Sequence, residues 1–257
     1  MSMSSKLSNL SWTVGSFVVL FVLWDLFVRL FHIPTYLLPS PWNVFRSMSE
    51  HWRTLGYQSL WTLVAILAGF IAAIVFAIPL AMLISASRLL ERLLYPPMVT
   101  TQSIPKIALA PLFIVWFGFG LAPKVAVAFL IAFFPIVIDT IVGLRGIDPA
   151  MIQLARSMGA PPYRVFLKMR LPHALPTIFG GIKVASTLAV VGALTGEFIG
   201  SDRGLGYVLT QAQGNLDTAL LFAALLTLSV IAMLLFYAVD LLEKWLLPWH
   251  VSQRGHT

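Results

Sequence analysis

Six stretches of this chain are almost wholly apolar: residues 12–31, 60–86, 99–119, 123–144, 177–199 and 219–242. A bilayer core of about 30 Å is crossed by about 20 helical residues at ~1.5 Å each. Each stretch is long enough, and none has the strict alternation of a half-buried strand, so the pattern predicts six transmembrane helices. The first is too long for a cleaved signal peptide, carries Asp25 and lacks a small-residue cleavage site. It is therefore read as a retained membrane helix.

Composition agrees with the pattern. Hydrophobic residues make up 59% and charged residues 11%, against roughly 45–50% and 25% in soluble domains. The fold class is all-α integral membrane, a single transmembrane domain over residues 1–257 with a cytoplasmic loop at 146–176 inside it. There is no cysteine, which rules out disulfides and thiolate metal sites. The five histidines, His32, His51, His173, His250 and His256, show no HxxxH or HExxH spacing, so no metal site is expected.

A net charge of +7 would suit nucleic acid, but the charges divide by side of the membrane. With the N-terminus inside, the inner segments hold Lys6, Arg88, Arg92, Arg145, Arg156, Arg164, Lys168, Arg170, Lys244 and Arg254; the outer ones hold Arg46, Arg53, Lys124 and Arg203. Positive charge accumulates on the cytoplasmic side. Both termini and the basic island at 148–176 are thereby placed in the cytoplasm, and the charge reads as a topology signal, with no nucleic-acid partner.

The island carries its own helix signals. Asp148 before Pro149 is an N-cap followed by proline at the first helical position. Gly159 suits a left-handed helix stop, and Pro161 and Pro162 open a second helix. That helix is expected to run through Arg164 and Lys168 until Leu171 and Pro172 break it, Pro176 then admitting the chain to the fifth span. A connector anchored to lipid headgroups by its arginines would look much the same.

A family resemblance shifts the balance between these readings. Gln153, Leu154 and Ala155, then Gly159, then after nine residues Met169, Arg170, Leu171 and Pro172, resemble the EAA loop of ABC importer permeases, EAAxxxG…IxLP. The leading Glu is Gln153 here, the first Ala is Leu154 and the Ile is Met169. Residues 38–41 (LPSP), 104–119 (IPKIALAPLFIVWFGF) and 200–207 (GSDRGLGY) extend the resemblance to the subfamily handling nitrate, sulfonates, taurine and some vitamin precursors.

The resemblance implies a type I importer permease fold of about six helices in the bacterial inner membrane. It implies a coupling helix, with Gln153, Leu154, Ala155, Arg156, Gly159, Ala160, Leu171 and Pro172 in or beside it, that docks on a separate ATP-binding subunit. That subunit, in two copies, would use ATP and Mg, while this chain needs no cofactor. A second permease copy, most simply in a homodimer, surrounding membrane lipid and a periplasmic or lipid-anchored substrate-binding protein complete the assembly. The solute would be small and anionic or polar, moved inward by alternating access. Gln153 can hydrogen-bond but cannot make the ion pair a Glu could. No GxxxxGK[ST] phosphate loop occurs in the chain, so it is not expected to hydrolyse ATP.

Several membrane-embedded residues are candidates for the path or gate. In the fifth span Ala185, Ala189, Ala193 and Gly196 recur about every four residues, and Gly192, Gly196 and Gly200 make overlapping GxxxG steps. This face permits close helix contact, within one subunit or between subunits. Glu197 lies beside it near the outer end, either functional or simply solvated. Lys183 is fourteen residues away, about 21 Å along a helix, too far to pair with it. Asp139 and Lys183 fall at similar depth on neighbouring spans and are expected to form an ion pair, the alternative being Lys183 snorkelling to the inner surface. In the third span Pro105, Lys106 and Pro111 predict a broken helix along the path, with Trp116, Phe117 and Phe119 in an interfacial belt. The polar segments 37–53 and 201–217 are the outer surfaces available to a binding protein.

Two other classes are open on the residues alone. An ion-coupled secondary transporter would need no ATPase, but usually shows more buried carboxylates than Glu197 and Asp139. An intramembrane enzyme would need a nucleophile and base or a metal cluster, and no GxSxG or HExxH pattern is present.

Overall fold

The computed structural model describes residues 3–248; Arg254, His250 and His256 lie outside the described residues, as do the side chains of Lys6 and Arg88. The chain runs α1 (Met3–Leu30), α2 (Pro41–Glu50), α3 (Trp52–Ala86), α4 (Arg88–Thr101), a 3-10 turn (Lys106–Leu109), α5 (Ala110–Phe117), α6 (Leu121–Arg145), α7 (Pro149–Ser157), α8 (Pro162–Val165), a π turn (Phe166–Arg170), α9 (Leu171–Phe198), α10 (Leu205–Gly214) and α11 (Thr218–Leu246). Among the described residues α3, α6, the continuous helix Pro162–Phe198 and α11 are long and apolar enough to cross a membrane. The 28 residues of α1 reach about 42 Å and cover most of the first expected span.

The third span departs from a simple crossing. Leu89–Thr101 and Lys106–Phe117 are bent by 88° at the intervening residues. Pro105 begins the tight turn and Pro111 lies in the first turn of α5, so neither can donate a helical hydrogen bond backwards. The break expected from these prolines is therefore a right-angle corner.

The fifth span corrects the expected helix stop at Leu171 and Pro172. The helix begun at Pro162 runs unbroken through Pro172 and Pro176 to Phe198. The π turn makes this possible: Leu171 donates its N–H to the carbonyl of Phe166, five residues back. One extra residue in a turn re-aims the carbonyls that a proline ring would otherwise meet.

At the centre α6 lies between α3 and α9. A β-carbon on Gly192 would stand 2.6 Å from Cα of Ala128, on Gly196 2.7 Å from Cα of Lys124, and on Gly181 2.7 Å from Cβ of Asp139, while on Gly143 it would stand 3.0 Å from Cβ of Thr177. The pairs 124/196, 128/192, 139/181 and 143/177 step in opposite directions by equal amounts. The two helices are thus antiparallel and in contact over about 28 Å of length. Gly69 of α3 makes the same approach from the other side, its β-carbon position 2.6 Å from Cβ of Ala128. Ala185, Ala189 and Ala193 are fully buried on this face. The small-residue stripe therefore serves packing within the chain, with Gly200 set against the ring of Phe119.

The segment 201–217 is more ordered than a polar outer loop. It contains α10, which buries Leu205, Val208, Leu209 and Ala212; their spacing is that of one helix face. In segment 37–53, α2 is amphipathic: Ser40 caps it, Val44 is buried, and the helix packs on α11.

Candidate functional site

The loop between α6 and α9 is built as its residues predict. The Asp148 carboxylate accepts the Ala150 N–H at 2.8 Å, and Pro149 follows at the first helical position. At the other end Gly159 has φ +82°, its N–H donates to Arg156 at 2.9 Å and the Ala160 N–H donates to Ala155 at 3.0 Å. This pair of bonds satisfies the last carbonyls of α7 and stops it. The result is a short, self-capped helix whose Met151, Leu154 and Met158 are exposed at 53%, 63% and 79%. Those three share one face, so α7 offers a stripe of apolar side chains with no cover from its own chain.

On the opposite side, at the far end of α9, Glu197 is 1% exposed, and the solvated reading is excluded. The Thr62 hydroxyl of α3 lies 2.9 and 3.0 Å from its two oxygens, and the Gly206 N–H donates to it at 2.7 Å. Thr62 in turn accepts the Leu205 N–H at 2.8 Å, and Gln58 accepts the Gly204 N–H at 2.7 Å. One carboxylate thus ties α9, α3 and the start of α10 together. Lys124, counted by sequence among the outer charges, is also buried, at 5%; it donates to the Arg203 carbonyl at 2.8 Å and lies in Coulombic range of Glu197. The signal for this cluster is in GSDRGLGY, where Gly204 has φ +112° and both Gly204 and Gly206 leave room that Glu197 fills.

The expected ion pair between Asp139 and Lys183 does not form. Lys183 pairs with Asp240 and Glu243 of α11, and Lys244 closes the group on Asp240 at 2.5 Å. Helix geometry explains the difference. Gly181 faces Asp139 across the α6 interface, and Lys183, two residues on, is turned by about 200° at 3.6 residues per turn. It points away from α6 and towards α11.

At the corner between α4 and α5, Gln102, Ser103, Ile104 and Pro105 are exposed. The Lys106 ammonium stands 4.7 Å from the ring centroid of Phe134 on α6. Among the described residues no group of three or more His, Asp or Glu is placed to hold a metal ion.

A bundle of apolar spans, a broken helix and a self-capped amphipathic helix with an exposed apolar face have the form of a membrane permease. The chain belongs to the family of binding-protein-dependent transport system inner membrane components, matched over residues 73–249. It is 39% identical over 240 residues to the riboflavin transport system permease protein RibX of Chloroflexus aurantiacus, covering 91% of this chain and 88% of that one. It is 37% identical to the formylaminopyrimidine transport permease protein ThiX of Halalkalibacterium halodurans, covering 92% and 95%. The taurine transport system permease protein TauC of Escherichia coli is 28% identical over 93% and 89%. In fold, it resembles a chain of the MetNI methionine ABC transporter in an inward-facing conformation, with TM-score 0.58 and 25% identity over 80% of this chain and 97% of that one. It is thus an inner-membrane, multi-pass permease subunit of an ABC importer, which replaces the ion-coupled and enzymatic alternatives.

Proposed function

We propose that this chain, as one transmembrane domain with its 146–176 loop cytoplasmic, pairs with a second copy and couples two ATP-binding subunits to inward movement of a small polar solute. The carrying observation is α7: a helix capped at both ends that leaves Met151, Leu154 and Met158 uncovered. Such a stripe gains by docking in a groove of another protein. Gln153, Leu154, Ala155 and Arg156 belong to the docking helix, Gly159 and Ala160 to its stop, and Leu171 and Pro172 to the continuous helix that carries motion into α9. ATP and Mg act on the partner, and both termini lie on the same cytoplasmic side as α7.

The path runs past the corner at Gln102–Lys106. Non-helical backbone is not tolerated against lipid tails, only inside protein or along a water-filled cavity. The corner residues are exposed in the single chain, so a second copy and a polar path between the two is their fitting environment. Lys106 presents a positive charge there, while the charge of Lys183 is met by two carboxylates. Asp139, Lys183 and Glu197 act by holding helices rather than by touching solute.

Relatives that carry riboflavin and formylaminopyrimidine stand at 39% and 37% identity, and the taurine permease at 28%. This gap favours a heterocyclic vitamin or vitamin precursor over a sulfonate. A binding protein would deliver it to the outer surface formed by α2 and the segment around α10.

The test is to purify the full chain from its native membrane in mild detergent and identify what accompanies it by mass spectrometry. An ATPase with a phosphate loop at one copy per permease supports the assembly; recovery of the chain alone across several detergents defeats it. Competition for uptake by riboflavin, aminopyrimidines and taurine then assigns the solute class.

A further inference from the structure

A groove of about 570 Å³ opens where the end of α3, the start of α4, the end of α6, α7 and the π turn converge. Its polar lining consists of Ser85, Glu91, Arg145, Gln153, Arg156 and Arg170. Glu91 is the single carboxylate among them, and it is committed to Arg145. Arg156 and Arg170 have no carboxylate within 4.0 Å among the described residues, and Arg170 is close enough to Arg145 for their charges to repel. At Gln153 an amide occupies the position where a Glu would have brought a second negative charge to the same groove. Two positive charges thus converge on a space that the chain itself does not fill.

We propose that this groove binds a phosphate-class oxyanion, held by the guanidinium groups of Arg156 and Arg170. Planar guanidinium forks match phosphate oxygens two at a time, which a lysine cannot do. The groove lies at the ends of α3 and α6, the depth at which the two spans leave the apolar layer. An anionic phospholipid headgroup therefore reaches it without leaving the membrane, and a free phosphate or phosphate ester reaches it from water. An oxyanion there would bridge α7 to the span ends and set how firmly α7 is held. The proposal needs only the membrane-spanning fold and does not depend on the ATPase partner.

The probes are phosphatidylglycerol and inorganic phosphate, applied to the full-length chain. Native mass spectrometry and binding titrations in nanodiscs of phosphatidylcholine doped with phosphatidylglycerol give the affinity. Wild type should retain phosphatidylglycerol over phosphatidylcholine, and Arg156→Gln with Arg170→Gln should weaken binding about tenfold or more. Gln153→Glu should weaken it by a similar factor, because an internal carboxylate then occupies the arginines. This variant changes one exposed residue of α7 and remains informative where the double arginine variant fails to fold. Arg164→Gln with Lys168→Gln, outside the groove, should leave it unchanged.

Competition by millimolar inorganic phosphate with the same sensitivity to the variants would assign the site to free phosphate as well as lipid; its absence would assign it to the headgroup. Either result supports an oxyanion site. Equal loss in the Arg164/Lys168 pair, no effect of Gln153→Glu, or binding of neither probe would overturn it.

Discussion

A β-carbon placed on Gly204 would stand 2.2 Å from Oε1 of Glu197, so the glycine that opens α10 and the buried carboxylate of α9 are fitted to each other. Gly204 also holds φ +112°, which side-chain-bearing residues rarely adopt. Gly204→Ala should therefore destabilise the solubilised protein by about 2–4 kcal/mol, from clash and backbone strain together. Gly214→Ala, with open space around its β-carbon position, should change stability by less than about 0.5 kcal/mol. Thermal unfolding followed by size-exclusion fluorescence separates the two, and equal melting of both variants would remove the proposed fit.

Glu197 and Lys124 should be energetically coupled. Glu197→Ala strands the Thr62 hydroxyl, the Gly206 N–H and the Lys124 charge in a buried site, a loss of about 3–5 kcal/mol. Glu197→Gln keeps an acceptor for Gly206 but removes the charge facing Lys124. The double variant Glu197→Gln/Lys124→Met should then be more stable than the sum of the singles predicts, by about 1 kcal/mol or more. Additivity would mean that Lys124 is held by the Arg203 carbonyl alone.

Close packing of α6 makes a third prediction. The β-carbon of Gly192→Ala would meet the backbone of Ala128 at 2.6 Å, and backbone cannot swing aside as a flexible side chain does. Separation of α6 and α9 should destabilise the protein by about 2–3 kcal/mol. Gly180→Ala, which meets nothing within 4 Å, should be neutral or mildly stabilising through better helix propensity. Melting temperatures measured side by side test the contrast.

Local signals in the sequence were strong enough to read α7 residue by residue, because Asp148, Pro149 and Gly159 each act within one turn of themselves. Of the six expected spans, those at α3, α6, α9 and α11 were equally legible from apolar length, whereas the third is a corner bent by 88°. Pairings between helices were not. Depth alone placed Asp139 opposite Lys183, whereas azimuth decides partners, and Gly181 had already taken the face towards Asp139. The π turn that carries the helix through Pro172 depends on a backbone bond from Leu171 to Phe166 that no residue type announces. The Glu197 cluster was half legible: Glu197 and the GSDRGLGY segment were each singled out, but the hydrogen bonds that join them through Thr62 of α3 depend on the fold. Substitution of Gln153 for Glu was visible, while its setting among three arginines required the fold.

Lys183 should behave as a clamp between α9 and α11. Lys183→Met leaves Asp240 and Glu243 side by side without their shared cation, although Lys244 still reaches Asp240. The single variant should lose about 3–5 kcal/mol, as when one member of a buried pair is removed. Adding Glu243→Gln should recover part of the loss, a coupling of about 1 kcal/mol or more. The combination of Lys183→Met with Asp139→Asn should instead be additive, since Asp139 packs against Gly181 on another face. A double-mutant cycle on thermal stability distinguishes these outcomes; strong coupling to Asp139 would restore the pairing that depth alone suggested.

The exposed face of α7 yields the sharpest functional prediction. Leu154 is 63% exposed and touches little of its own chain, so Leu154→Asp should leave insertion and melting temperature unchanged within about 0.5 kcal/mol. If α7 docks in an apolar groove of the ATPase subunit, the same change buries an unpaired carboxylate there and should weaken association by several kcal/mol, on the order of 100-fold or more. Gly159→Trp should act at the same surface: φ +82° strains any side chain, and the open space beside it is the space a partner would occupy. In the reconstituted importer, both variants should reduce solute-stimulated ATP hydrolysis to the basal level. Full stimulation in either, with the permease correctly inserted, would show that the motor engages the chain somewhere other than α7.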